Sequence, residues 1–276
     1  MGGFRHTGAD QGRLKNAMQS LILMIQFMTR YPIPVAVDFT AAHFVRGMKW
    51  MPLVGLLAAV PAAGCFAGAE NVFGRDVAAL MAVILLICVT GGLHLDGIAD
   101  TADGLFSYRT RERILEIMRD STLGTNGVIA VVITILCKYV LLRTLPAEGG
   151  VLAVLTMPVL GRMALTWHAA VARYAREERG IGDFVNQTGL TQAVAATLLS
   201  LVIVIFLLLL WGIPVAMILP VTVLLHLPAI GVAVFFAAYL TWRLGGITGD
   251  TIGATIELAE MLSLFVSFLL WKYLLS

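Results

Sequence analysis

Three aspartates fall within eight residues in "GGLHLDGIADTADG", Gly91 to Gly104, directly after the apolar run "VAALMAVILLICVT". On a helix turning by about 100° per residue, Asp96, Asp100 and Asp103 point at about 0°, 40° and −20°, so the three carboxylates share one face. Like charges at that spacing repel, and desolvation beside lipid adds to the cost, so the trio must take up protons or cations. Hard oxygen donors with no cysteine nearby favour magnesium, with manganese second. Magnesium commonly uses one or two protein carboxylates and completes its shell with phosphate oxygens. The bland alternative is a solvated helix end on which Asp96 or Asp100 is a cap.

A second segment, "GGITGDTIGATIE", repeats the design. Asp250 stands where a helix would begin, and Glu257 and Glu260 follow on its face inside an apolar run. Capping explains Asp250 alone, but not two glutamates in the first turns of a span. Arg162, in "LGRMALTW", is an intramembrane arginine that needs a partner or a cavity, and either glutamate could supply it. Lys138 is similar or snorkels. Between the two acid motifs, "YRTRERILEIMRDSTLGTNG" carries an apolar stripe, Ile114, Leu115, Ile117 and Met118, interleaved with Arg109, Arg111, Arg113 and Arg119. That pattern fits a surface-lying helix whose arginines meet phosphate or anionic headgroups. Asp120, Ser121, Gly124, Thr125 and Gly127 make either a phosphate-binding turn or a plain helix cap. His94 could ligand a metal or bond an aspartate, whereas His168 and His226, each alone among apolar residues, are expected to be satisfied core histidines.

The elements that position these groups are set by lipid. Hydrophobic residues make up 59% of the 276-residue chain and charged ones 13%, against roughly 45–50% and 25% in soluble domains, so the chain is an integral membrane protein. Residues 51–69, 77–93, 127–145, 150–172, 190–212 and 252–275 approach the roughly 20 residues that cross a bilayer. Residues 213–240 are one kinked span or two short segments, because Pro214, Pro220 and Pro228 interrupt them. Residues 14–29 are too short for a clear span and are expected to be an amphipathic or re-entrant helix. The expected fold is an all-α, polytopic membrane helical bundle of about seven spans (six to eight), a single membrane domain over 1–276.

With the N-terminus inside, fourteen of the nineteen Lys and Arg fall on the cytoplasmic side, which orients the bundle by the positive-inside rule. Segments 94–126, 173–189 and 241–251 then share that face. The three cysteines lie in apolar runs and suggest neither a disulfide framework nor a metal site. A net charge of +2 gives no ground for a nucleic-acid partner. The segment "MGGFRHTGADQGRLKN" reads as neither a signal peptide nor a myristoylation site.

At "GGLHLDGIADTADGL", "LEIMRDSTLGTNG", the Gly161-Arg162 pair and "GGITGDTIGATIE", from about Phe27 to the last span, the chain resembles the cobalamin synthase family, the adenosylcobinamide-GDP ribazoletransferases. The resemblance implies a bacterial or archaeal inner-membrane enzyme that joins α-ribazole, or its 5′-phosphate, to adenosylcobinamide-GDP and releases GMP, with magnesium as its metal. It carries Asp96, Asp100 and Asp103 onto the family's acidic motif, Asp120 onto the next segment, and Asp250 with Glu257 onto the C-terminal motif. We assign Asp96, Asp100 and Asp250 to the metal and Asp103 as candidate base or further ligand. Asp120 or Glu257 is a further ligand or orienting group, and Arg162 or an arginine of 109–119 offsets leaving-group charge. A homo-oligomer, or a complex with other enzymes of cobalamin assembly, is compatible with the sequence. Two other readings are weaker. The CDP-alcohol phosphotransferase motif fails after "DTADG", where Ser107 and Tyr108 replace its Ala and Arg, and a cation- or proton-coupled transporter would place its acids at the midplane.

Overall fold

A computed structural model describes residues 7–176 and 181–275; Arg5 and Arg179 of the charge count lie outside them. Among the described residues the regular elements are all helices. They are α1 (Thr7–Met28), α2 (Ala41–Gly47), α3 (Met51–Phe73), α4 (Arg75–Thr90), α5 (Leu93–Leu105), α6 (Arg111–Ile117), α7 (Thr125–Thr144), α8 (Ala147–Val171), α9 (Ile181–Asn186), α10 (Leu190–Leu210), α11 (Val215–Leu244) and α12 (Gly249–Tyr273).

Six helical stretches are long and apolar enough to cross a membrane, and α4 with α5 makes a seventh if that bent pair counts as one span. Helix α4 alone has 16 residues, about 24 Å at 1.5 Å per residue against a ~30 Å hydrocarbon layer. Gly91 and Gly92, with φ of 64° and 73°, occupy the left-handed region that costs glycine nothing. The chain there turns by 89°, so α5 runs across the end of the bundle rather than along a span.

The proline-rich run does not break. Pro214 precedes α11, Pro220 and Pro228 lie inside it, and the helix continues for 30 residues. Neighbouring helices can accommodate the carbonyls that proline leaves free, so 213–240 contributes one span. The apolar segment 14–29 lies in α1, which is not among the spanning helices. Its Leu14 and Met18 are exposed while Leu23, Met24 and Met28 are buried, so its later turns pack into the bundle.

Helix α8 is the central pole, 94% buried over its apolar window against 22% for α7, and it packs on α3, α10, α11 and α12. One apolar core surrounds it through the bundle. A second core, with Met24, Phe44, Met51, Ile114, Val185 and Ile256, lies where α1, α2, α6 and α9 fold over one end. His168 and His226 are satisfied inside the bundle, by Ala233 O at 3.1 Å and by Thr222 O at 2.8 Å respectively.

Candidate active site

Helices α5 and α12, which carry the two acid motifs, cross at Gly97 and Gly253. A Cβ added to Gly97 would stand 2.7 Å from the Asp250 carbonyl oxygen and 3.1 Å from Gly253 Cα. Only a residue without a side chain permits that approach, and it sets Asp96 and Asp100 beside the first turn of α12. Asp250 is not the cap of that helix. Thr248 is, its Oγ1 accepting the Thr251 N–H at 3.3 Å, so the Asp250 carboxylate is left to turn toward the crossing.

Among the described residues two side chains hold Asp250. The Thr248 hydroxyl donates to its Oδ2 at 3.2 Å, and Arg176 Nη2 donates to the same oxygen at 3.2 Å. Arg176 is brought there by a short parallel bridge between the chain after α8 and the glycine motif before α12. In it Ala175 N–H bonds Ile247 O and Ile247 N–H bonds Arg173 O, both at 2.8 Å. Burial pushes the Asp100 carboxyl up to about 7, reinforced by repulsion from Asp96, Asp250 and Asp103 and opposed by Arg176. Asp96, Asp250 and Arg176 line a cavity of about 330 Å³, whose other walls include Phe27, Phe44, Met48 and Met51.

The remaining predicted site residues go elsewhere. Asp103 spends both carboxylate oxygens on the start of α7, accepting the Gly124 N–H at 2.7 Å and the Gly127 N–H at 2.8 Å. The backbone donors offered to phosphate by the sequence are thus taken by Asp103. Asp120 is fully exposed and folds back on Thr122 N at 2.9 Å, a contact that holds its carboxyl below the ordinary range; it does not line the cavity. Neither residue lines the cavity that Asp96 and Asp250 share.

Arg162 and Glu257 belong to a separate, inner cluster. Arg162 donates to Glu260 and to His94 Nδ1, and Lys138 pairs with Glu257 and Glu260, each at 2.5 Å. Two cations and two carboxylates offset one another there, with Glu257 facing Lys138 and Arg162 bonded to Glu260 and His94. The interfacial arginines likewise serve as clasps: Arg111 donates to Leu244 O at 2.6 Å and Arg243 to Arg109 O at 2.7 Å. Arg176, which the sequence does not single out from Arg173 or Arg179, is the cation at the acid site.

The donor set suits a hard divalent ion assisted by a ligand. Among the described residues no three Asp, Glu, His or Cys side chains stand close enough to hold an ion by themselves. Magnesium usually takes only one or two protein carboxylates with substrate phosphate oxygens, and among the described residues the crowded Asp96, Asp100 and Asp250 have one arginine, Arg176, against them, a set that fits such an ion.

Fold and site together define a multi-pass helical membrane protein with a cavity that carries Asp96 and Asp250 where two glycine-acid motifs cross. Residues 20–268 match the cobalamin-5-phosphate synthase family. An adenosylcobinamide-GDP ribazoletransferase of Acetivibrio thermocellus is 35% identical over 91% of this chain and 98% of its own length. One of Clostridium acetobutylicum is 38% identical over 87% of this chain and 92% of its own. No solved structure matches. The chain belongs to the cobalamin-5-phosphate synthase family and is an enzyme, a transferase of cobalamin biosynthesis.

Proposed function

We propose that the protein transfers the cobinamide-bearing phosphate of adenosylcobinamide-GDP to a ribose hydroxyl of α-ribazole, or of α-ribazole 5′-phosphate, with release of GMP. One O–P bond forms at the phosphorus that carries cobinamide, and the anhydride bond to GMP breaks. The hydroxyl proton passes to Asp100, the mouth carboxylate that stands beside the ion-holding pair Asp96 and Asp250 and is committed neither to backbone amides nor to Arg176. Arg176, already at Asp250, offsets charge on the departing phosphate.

Asp96 and Asp250, with Asp100 beside them, are the residues that would hold magnesium, or manganese in its place. When bound, such an ion neutralises charge on the diphosphate oxygens. The bacterial relatives support a bacterial inner membrane, and the distribution of arginine and lysine supports this end of the bundle in the cytoplasm.

The observation that carries the proposal is the Gly97–Gly253 crossing, which joins acids of two distant motifs at one cavity. The test is GMP release, followed by chromatography, from adenosylcobinamide-GDP supplied with ribazole or ribazole phosphate to detergent-purified protein. Activity abolished by a chelator and restored by magnesium is the expected result. GMP released equally in the chelator would remove the metal from the scheme, and no GMP with either acceptor would overturn the reaction.

A further inference from the structure

The cavity beside the acids has two ends of different chemistry. Asp96, Asp250 and Arg176 gather where α5 crosses α12. Away from them stand Phe27 of α1 and Phe44 of α2, with ring centroids 5.8 Å apart, together with Met48 and Met51, both almost wholly buried. Phe39 and Phe184 close the outside of this wall, each 5.6–5.7 Å from a neighbouring ring.

Resting on the reaction proposed above, we infer that this cavity is the acceptor site. It takes a riboside with a flat apolar base, the base between Phe27, Phe44 and the methionines and the ribose at the acids. Three considerations separate that occupant from the others in the reaction. A volume of about 330 Å³ lies at the small end of the roughly 300–1,000 Å³ typical of ligand pockets, enough for a nucleoside and far too little for a corrin ring with its side chains. The amides of a corrinoid, and the donor- and acceptor-bearing edge of guanine, would lose hydrogen bonds against walls of carbon and sulfur. A dimethylbenzimidazole presents two methyls and an aromatic face, which thioethers and phenyl rings accommodate well. The corrinoid then stays outside, and only its diphosphate arm reaches the mouth, where Arg176 and the acids meet it.

The test uses detergent-solubilised full-length protein with magnesium. Free 5,6-dimethylbenzimidazole should inhibit competitively against ribazole and not against adenosylcobinamide-GDP. Narrowing the apolar end with Val185→Phe, at a cavity residue of α9 packed with Phe44 and Met51, should raise the KM for ribazole about tenfold, the scale of a changed apolar contact, and leave the KM for adenosylcobinamide-GDP within twofold. Phe27→Ala should raise the same KM and narrow the preference for dimethylbenzimidazole over unmethylated benzimidazole riboside. Competition against adenosylcobinamide-GDP, or KM changes confined to that substrate, would overturn the assignment while leaving the reaction intact. A wild-type protein that releases no GMP would instead sink the reaction itself.

Discussion

Arg162 Nη2 stands 3.2 Å from His94 Nδ1, across the junction between α8 and α5. A guanidinium only donates, so Nδ1 accepts and the imidazole carries its proton on Nε2. His94 thereby ties the inner charge cluster to the helix that presents the acids, since it borders both that cluster and the acceptor cavity. Replacing it with Leu leaves a buried guanidinium donor without an acceptor and should cost about 1–3 kcal/mol of stability. His94→Asn, whose side-chain oxygen can take the place of Nδ1, should recover most of that in thermal unfolding in detergent.

Glu260 accepts from both Arg162 and Lys138. Glu260→Gln leaves two buried cations facing Glu257 alone, and should destabilise the bundle by about 3–5 kcal/mol, the scale of a broken buried ion pair. Melting temperature and membrane yield are the readouts. Glu257→Gln leaves Lys138 still paired with Glu260 and should cost less. An equal loss in the two variants would contradict the central position given to Glu260.

Asp100 is uncomfortable as a carboxylate beside Asp96 and Asp250, so Asp100→Asn removes repulsion. Turnover should fall about 10²-fold or more, the scale of a lost contact to the reacting phosphate or its ion. The melting temperature should stay level or rise. A variant that kept full GMP release would take Asp100 out of the chemistry.

Asp103 should behave in the opposite way. With its two oxygens on Gly124 and Gly127, Asp103→Ala strands two amides at the start of α7, at about 1–3 kcal/mol. Hydrogen exchange at residues 122–128 should quicken, and activity should fall only with stability. A 10²-fold loss of turnover at wild-type stability would return Asp103 to the catalytic group.

Gly97→Ala forces a methyl to 2.7 Å from the Asp250 carbonyl. The α5–α12 crossing must open, at about 1–3 kcal/mol, and GMP release should drop far more than stability because the acids separate. Gly64→Ala, a substitution of the same kind where nothing lies within 4 Å, is the control and should leave activity unchanged.

Much of this molecule is written in local pattern. Hydropathy alone announces the spans, because lipid tests each segment against its thickness one helix at a time, and the three-to-four-residue spacing alone places Asp96, Asp100 and Asp103 on a helix beside the membrane. Partner choice is not local. Nothing in the order of residues says that Asp103 would turn to the amides of Gly124 and Gly127, that Glu260 rather than Glu257 would take Arg162, or that Arg176 would be the arginine at Asp250. Those outcomes rest on the contact of α5 with α12 and on the bridge from Tyr174 to Ile247. A buried charge is satisfied by whichever opposite group packing brings within a few ångströms, and that distance exists only after the helices have docked.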